Sequence, residues 1–88
     1  MPANMGAYGA LDLGGFVASF LLAAQAEGVA TLAQAALAQH CGAIREMFDI
    51  PKDRVFVCGV SFGRADMSHP ANSFRASRAS LEEIFRFA

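Results

Sequence analysis

Apolar side chains recur every three or four residues between residues 12 and 28. This spacing places them along one side of a helix, and further apolar positions widen the stripe until it nearly surrounds the helix axis. The pattern predicts a buried helix over 12–28, with Asp12 as the N-cap and Gly28 just after the last turn. Residues 1–11 are predicted to form a flexible lead-in. The apolar positions are Leu13, Phe16, Val17, Phe20, Leu21 and Ala24, with Leu22 and Ala23 widening the stripe.

Shorter helices are predicted over 31–50. The segment from Thr31 to Gln34 has the T-x-x-Q form of a capping box, which is typical of a helix N-terminus. An alanine-rich stretch follows until Gly42 interrupts it, and a second short helix is expected after this glycine. Pro51 ends the helical region, because proline disfavours helical backbone in the residue before it.

The segment 54–62 is predicted to be the chain's one β-strand. Three of its residues are valines, and apolar side chains fall on both faces, which is typical of a central strand covered on both sides. Since one strand cannot make a sheet, its partner strands are expected to come from outside this chain. A loop over 63–79 and a last helix over 80–87 follow, and Ser80 and Glu83 have the spacing of a capping box.

Length and composition bound the class of protein. The 88 residues allow one domain at most, and 55% of them are hydrophobic while 17% are charged. A core of this size cannot hide so many apolar side chains, so the excess indicates an oligomer interface or a missing part of the domain. The net charge of −1 gives no electrostatic basis for binding nucleic acid.

The sequence favours a cytoplasmic protein without a membrane partner. The uncharged run from Leu13 to Ala26 is shorter than the roughly 20 apolar residues that a bilayer span requires. No basic segment precedes it, as a secretory signal would need. Cys41 and Cys58 lack C-x-x-C spacing, which favours reduced thiols. His40 beside Cys41 has no second ligand pair at metal-binding spacing, so no metal site is expected.

Candidate chemistry is concentrated at and after the predicted strand, where glycine at position 63 is followed by Arg75 and Arg78. Arginine binds phosphate through a planar fork of donors, so the segment is typical of one edge of an anion site. The alternative is that both arginines are ordinary surface residues. The run from Gly59 to Gly63 matches the G-x-S-x-G pattern of hydrolases. Ser61 lies inside the predicted strand and not on a strand-to-helix turn, which argues against a nucleophile.

Several stretches of the chain resemble the C-terminal half of the nitroreductase family of flavoenzymes. Their order and spacing hold from about residue 12 to residue 87. The matching stretches are Asp12–Phe16 leading through Leu21–Gly28 to Thr31–Gln34, then Phe48–Asp53, then Cys58–Gly63 with His69–Arg75, Arg78 and Leu81–Glu83.

The resemblance implies an α+β protein that forms an intertwined homodimer with FMN at the dimer interface and NAD(P)H as electron donor. Hydride would pass through the flavin to a nitroaromatic or quinone acceptor, and no side chain of this chain would act as a nucleophile. In the family, the segment matching Ala33–Ala35 lies near the flavin N5 edge, and the position matching Arg78 contacts the phosphate. The implied cofactor-binding residues are Ala33, Gln34, Ala35, Gly59, Gly63, Arg75 and Arg78.

The chain departs from the family pattern in three respects. Ala33 stands where the family has proline, and Arg64 stands where it has tyrosine. The first half of the family domain is expected to be absent, which leaves a mostly helical half-domain with an incomplete flavin site. Such a half-domain would complete its sheet and core by dimerisation or with a separate N-terminal half. The alternative is a non-catalytic oligomerisation or scaffold remnant that no longer binds flavin.

Overall fold

The computed structural model describes residues 1–88 and has the predicted α+β composition. Short 3-10 turns occur at Ala3–Met5, Ala35–His40 and Pro70–Ser73. The longer elements, in chain order, are helix α1 (Gly6–Ala26), strand β1 (Ala30–Gln34), helix α2 (Cys41–Phe48), strand β2 (Gly59–Gly63) and the single-turn helix α3 (Leu81–Ile84).

Helix α1 starts earlier than the apolar pattern predicts. It begins at Gly6, so Asp12 is an interior residue and not the N-cap. The segment 6–11 contains alanine and leucine but no proline, and nothing in it stops a helix. The predicted flexible lead-in is also wrong at the N-terminus itself. The Met1 amino group donates to the Val55 carbonyl oxygen at 2.9 Å, and the Val55 N–H donates to the Met1 carbonyl oxygen at 2.7 Å.

The other end of α1 is closed by Gly28, as predicted. Its φ is +75°, a left-handed conformation that glycine adopts without strain. The Gly28 N–H donates to the Gln25 carbonyl oxygen at 3.0 Å, and the Val29 N–H donates to the Ala24 carbonyl oxygen at 2.9 Å. These two bonds form a Schellman motif, which satisfies terminal carbonyl groups and turns the chain directly into β1.

The sheet has two strands, so the prediction of a single strand is wrong. The segment Thr31–Gln34, predicted as a capping box, lies in β1, which pairs antiparallel with β2. The register sets Ala30 opposite Gly63 and Gln34 opposite Gly59. A capping box is a local signal, and here the backbone pairing with a distant strand outweighs it. The predicted strand is also shorter, since β2 begins at Gly59 and not at residue 54. Each strand keeps one edge without a partner.

The chain encloses no hydrophobic core of its own. Gly9 is its one buried residue, and no apolar side chain is buried. The radius of gyration is 16.3 Å, whereas a compact chain of this length would have about 12 Å. The isolated chain does not bury the helix predicted over 12–28, and its burial in an assembly stays a prediction. Phe16 is 66% exposed and Leu22 is 73% exposed, because no other element of the chain covers these sides of α1.

The helical segment Ala3–Ala26 has 24 residues and is long and apolar enough to cross a membrane. It exceeds the uncharged run on which the sequence expectation was based, because the helix also includes the residues before Asp12. Core helices of soluble proteins can have the same length and composition. The chain itself leaves the apolar sides of this helix uncovered.

Arg45 connects helix α2 to the turn that leads toward β2. Its guanidinium donates through Nη1 to the Pro51 carbonyl oxygen at 3.0 Å and through Nη2 to the Arg54 carbonyl oxygen. Asp49 ends α2 in a left-handed conformation with φ +50°, and the Ile50 N–H donates to the Arg45 carbonyl oxygen at 3.0 Å. One side chain thus holds both ends of the turn at Pro51–Arg54 against α2.

The segment after β2 is exposed throughout. The predicted loop over 63–79 contains a 3-10 turn, and the predicted helix over 80–87 is limited to the single turn of α3. The Ser80 N–H donates to Glu83 Oε2 at 2.8 Å, so the second predicted capping interaction is confirmed. A capping interaction without tertiary packing stabilises only a short helix.

We expect Arg45→Ala to lower the free energy of unfolding by about 1–2 kcal/mol, because two carbonyl oxygens lose a charged donor. Urea denaturation at a fixed protein concentration measures this effect, since the stability of an associating chain depends on concentration. Lys52→Ala is the matched control, because Lys52 is an exposed cation in the same turn. Equal midpoints for the two variants would contradict the anchoring role of Arg45.

Candidate functional site

The pairing of β1 with β2 produces a ribbon with two different faces. Side chains alternate between faces along a strand, and directly opposite residues share a face. One face, here called the glycine-ended face, consists of Ala30, Leu32, Gln34 and Ser61, with Gly59 and Gly63 at its ends. The other face lies toward α1 and carries Thr31, Ala33, Val60 and Phe62.

Ser61 and Gln34 are joined by a hydrogen bond on the glycine-ended face. Ser61 Oγ donates to Gln34 Oε1 at 2.7 Å. Ser61 lies opposite Leu32, so the bond connects diagonal neighbours across the two strands. Gln34 is half-buried, and its Nε2 group makes no hydrogen bond within the chain. The face therefore presents amide N–H donors at the end where Gly59 lies.

The two glycines of this face have different surroundings. A Cβ on Gly59 would meet the side chain of Leu37, which belongs to the 3-10 turn Ala35–His40 and would have to move. A Cβ on Gly63 would meet nothing within 4 Å. Gly59 thus permits close packing of the turn against β2, whereas Gly63 leaves the other end of the face open.

A groove of about 400 Å³ opens beside the Gly63 end of the ribbon. Its lining combines ribbon residues with polar side chains of the segment that follows β2. Ser61 belongs both to this groove and to the hydrogen bond with Gln34, and so connects the two features. The groove is lined by Leu32, Ser61 and Gly63 of the ribbon and by Arg64, Asp66 and Asn72 of the following segment.

Two apolar grooves flank helix α1. One of about 320 Å³ lies between α1 and Phe62, and the other of about 410 Å³ lies between the first half of α1 and residues 54–60. Neither offers the convergent polar groups that orient a specific small ligand. Their apolar lining is suited instead to packing against further protein.

The structure separates the two arginines predicted to bind phosphate. Arg75 lines a groove of about 360 Å³ together with Ala30. Ala30 is the first residue of β1, and Gln34 is the last. Arg78 is exposed, and its Nη1 donates to the carbonyl oxygen of its neighbour Ser77 at 3.1 Å. Arg75 therefore lies beside the ribbon, whereas Arg78 lines none of the four grooves.

The remaining predicted site residues lie at the junction between β1 and the following turn. Ala33 is on the ribbon face toward α1, and Ala35 begins the 3-10 turn Ala35–His40. Both are exposed, and no side chain caps the turn. The structure thus brings Ala33, Gln34, Ala35 and Gly59 together at one end of the ribbon.

A hydrogen-bonded turn after β2 was missed by the sequence analysis. Asp66 Oδ1 accepts bonds from the Ser68 N–H at 3.0 Å and the Ser68 Oγ at 2.6 Å, and Asn72 Nδ2 donates to the Asp66 carbonyl oxygen at 2.6 Å. The Ser68 hydroxyl is the main cause that lowers the pKa of Asp66 below its ordinary 3.8, followed by the Ser68 backbone N–H. The Asp-x-Ser spacing is the signal that could have revealed this turn.

The surroundings of Ser61 and of the histidines bear on hydrolase and metal chemistry. Ser61 lies inside β2, as predicted, and its hydroxyl donates to a carboxamide oxygen, which is not a base. His40 and Cys41 lie where the 3-10 turn meets α2, and His69 Nδ1 accepts the Ala71 N–H at 3.1 Å. No group of three or more His, Cys, Asp or Glu side chains is close enough to hold a metal ion.

Comparison with known proteins identifies the class of protein. Residues 2–64 match the model of the Nitroreductase family, and the chain belongs to this family of oxidoreductases. The resemblance predicted from the sequence motifs is therefore confirmed at the level of the family. The placement of the chain in the C-terminal half of the family domain stays a prediction.

Individual relatives carry nitroreductase names. The chain is 35% identical over 77 residues to a 4-nitrobenzoate reductase of Nocardioides sp. (strain LMS-CY), covering 88% of this chain and 31% of that protein. It is 34% identical over 87 residues to Nitroreductase NfnB of Mycolicibacterium smegmatis, covering 99% and 37%. A nitrobenzene nitroreductase of Ectopseudomonas oleovorans is 34% identical over 74 residues, covering 84% and 33%. The chain thus spans about one third of the length of these relatives.

Acidification should open the turn that Asp66 closes. Because its pKa is lowered in the folded chain, the ionised carboxylate stabilises the turn above the ordinary value of 3.8, and this stabilisation is lost as pH falls through the folded pKa. We expect the Ser68 amide resonance to keep its folded shift from neutral pH to about pH 4 and to approach its unfolded shift below that. Asp66→Asn keeps an acceptor oxygen without the titrating charge. The same transition in that variant would contradict the assignment.

Proposed function

We propose that this chain is part of an FMN-dependent nitroreductase that takes hydride from NAD(P)H and delivers it to a nitroaromatic or quinone acceptor. Family membership over residues 2–64 supports the reaction class. Relatives named for the reduction of 4-nitrobenzoate and nitrobenzene support a nitroaromatic acceptor. The observation that carries the proposal is the glycine-ended face, on which Gln34 has an amide group free to donate.

The glycine-ended face fits a planar ring with acceptor atoms at its edge, as in a flavin. Gly63 bears no side chain and faces open space, and Ser61 bears a small side chain, so a ring can approach the backbone closely there. At Gly59 the side chain of Leu37 occupies the corresponding space and would border the ring. Gln34 Nε2 would donate to an acceptor atom of the ring, beside the backbone of Ala35. The flavin would supply two-electron hydride chemistry when bound, while the residues of this chain would bind it and hold its orientation.

Arg75 is the better placed of the two arginines to bind the phosphate of FMN. It lies beside Ala30, and the length of β1 separates this end from Gln34 by about 14 Å at the usual rise per residue. An elongated ligand with its ring near Gln34 and its anionic end near Arg75 would use this separation, because guanidinium binds phosphate through paired hydrogen bonds. Arg78 reaches such a ligand only if the exposed segment 74–79 rearranges.

The unfinished sheet and the exposed helix favour a chain that works as a homodimer or together with a separate N-terminal half of the domain. Each strand keeps an unpaired edge, and side chains such as Phe16 and Leu22 are left in solvent. We assign this covering to protein, because Asp12 near the middle of Ala3–Ala26 would be costly inside a bilayer. The assembly would be cytoplasmic, with no nucleic-acid or membrane partner.

A second candidate is a non-catalytic oligomerisation or scaffold remnant that no longer binds flavin. The position of Arg78, away from the ribbon, favours it. Ala33 and Arg64, which replace the proline and tyrosine of the family pattern, point the same way. The two candidates share the need for a partner and differ only in whether flavin binds.

Size-exclusion chromatography with light scattering and an absorbance spectrum separates the two candidates. We expect a dimer or larger species that is yellow and bleaches when NAD(P)H is added. A colourless dimer that ignores added FMN would support the scaffold, and a well-folded monomer would contradict the need for a partner. Material that sediments with membranes would contradict the assignment of α1 to a protein interface.

Removing the guanidinium groups tests how the phosphate of FMN is bound. We expect Arg75→Ala to weaken FMN binding by about 1.5–3 kcal/mol, because it removes a charged donor beside the ribbon. Arg78→Ala should have an effect of this size only if the segment 74–79 rearranges to bring Arg78 to the phosphate. Fluorescence quenching during an FMN titration measures the affinity. Arg86→Ala, which removes another exposed arginine, is the matched control. A loss confined to Arg75→Ala would show that Arg78 stays on the surface.

A further inference from the structure

We propose that Ser61 is a positioning residue whose hydroxyl fixes the carboxamide of Gln34, so that the Nε2 donors face a ligand on the glycine-ended face. The inference rests on the proposed function, because it assigns a role to a residue beside the proposed flavin ring. It also gives a role to the serine of the G-x-S-x-G run, which no hydrolase mechanism uses here.

The geometry of the Ser61–Gln34 pair supports this role. Ser61 Oγ donates to Gln34 Oε1 at 2.7 Å, which directs the oxygen of the carboxamide toward β2. The nitrogen of a planar carboxamide must then point away from that hydroxyl, and Nε2 has no hydrogen-bond partner in the chain. The diagonal placement of the two residues across the ribbon lets a short serine side chain reach the end of a long glutamine.

A free glutamine side chain would not hold this arrangement. It has several rotatable bonds, and rotation about the last one exchanges the oxygen for the nitrogen. Ordering such a side chain at the moment of binding costs conformational entropy, whereas a bond already made in the free chain reduces that cost. The serine hydroxyl therefore contributes to ligand affinity without touching the ligand.

The free Nε2 donors define the chemistry that they would recognise. Two N–H groups match carbonyl oxygens or unprotonated ring nitrogens at the edge of a planar heterocycle, as a flavin presents. A fixed donor stabilises such an edge most when the ring carries additional electrons. Loosening the amide should therefore weaken binding of the reduced ligand more than binding of the oxidised ligand, and so make the midpoint potential more negative.

The test compares Ser61→Ala, which removes the hydroxyl, with Ser61→Thr, which keeps it on a side chain suited to a strand. We expect the dissociation constant for oxidised FMN to rise about three- to tenfold in Ser61→Ala and to stay within about twofold in Ser61→Thr. The midpoint potential of bound FMN should become more negative in Ser61→Ala and recover in Ser61→Thr. Ser77→Ala, at an exposed serine outside the two strands, is the matched control.

A second measurement needs no flavin. In ¹H–¹⁵N relaxation measurements on the free protein, the order parameter of the Gln34 Nε2 group should be lower in Ser61→Ala than in the parent chain or in Ser61→Thr, because rotation of the carboxamide about the Cγ–Cδ bond is then less restricted. An unchanged order parameter in Ser61→Ala would overturn the positioning role outright, and this result does not depend on whether FMN binds.

The combined outcomes separate the two proposals. FMN binding by the parent chain with equal affinity and potential in Ser61→Ala overturns the role of Ser61 and leaves the proposed function standing. No FMN binding by the parent chain overturns the proposed function and the ligand assigned to Gln34. A tenfold loss in both Ser61→Ala and Ser61→Thr would indicate strand disruption, and it would also overturn positioning by the hydroxyl.

Discussion

The antiparallel pairing of β1 with β2 is the constraint on which the rest of the structure depends. It brings Gln34, from the first half of the chain, beside Gly59 and Ser61 from the second half. Without this register the amide of Gln34 would have no serine to fix it, and the 3-10 turn would not pack at Gly59. The Schellman motif at Gly28 serves the same pairing, because it sends the chain from α1 directly into β1.

The isolated chain buries very little apolar surface. Burial of apolar side chains is the main favourable term in folding, yet no apolar side chain is buried here. Hydrogen bonds such as those of Arg45 order a turn but contribute only about 0.5–1 kcal/mol each, which cannot replace a core. A partner that covers α1 and extends the ribbon would supply the missing apolar burial. This agrees with the length of the chain, which is about one third of that of its relatives.

The candidate site could be predicted only in part. Gln34 and Gly59 were identified through family motifs, and the strand register places them at the same end of the ribbon. Ser61 was considered only as a nucleophile, because its partner lies 27 residues away and no local pattern links the two. The Asp66 turn was missed although its signal is local. Arg78 was identified from a family motif, but a motif does not show what a side chain contacts. In the structure, Arg78 donates to the carbonyl oxygen of its neighbour Ser77.

The sequence by itself determined the features that depend on a few neighbouring residues. The glycine that closes α1 and the capping interaction of Ser80 with Glu83 follow from local backbone chemistry, so they were predicted correctly. Only the tertiary structure decided that Thr31–Gln34 is a strand and that α1 is exposed. The physical reason is that strand pairing and burial are interactions between distant segments. The free energy of strand pairing outweighs a local capping signal where a partner strand is present. Where no other segment covers an apolar face, as on α1, that face stays in solvent.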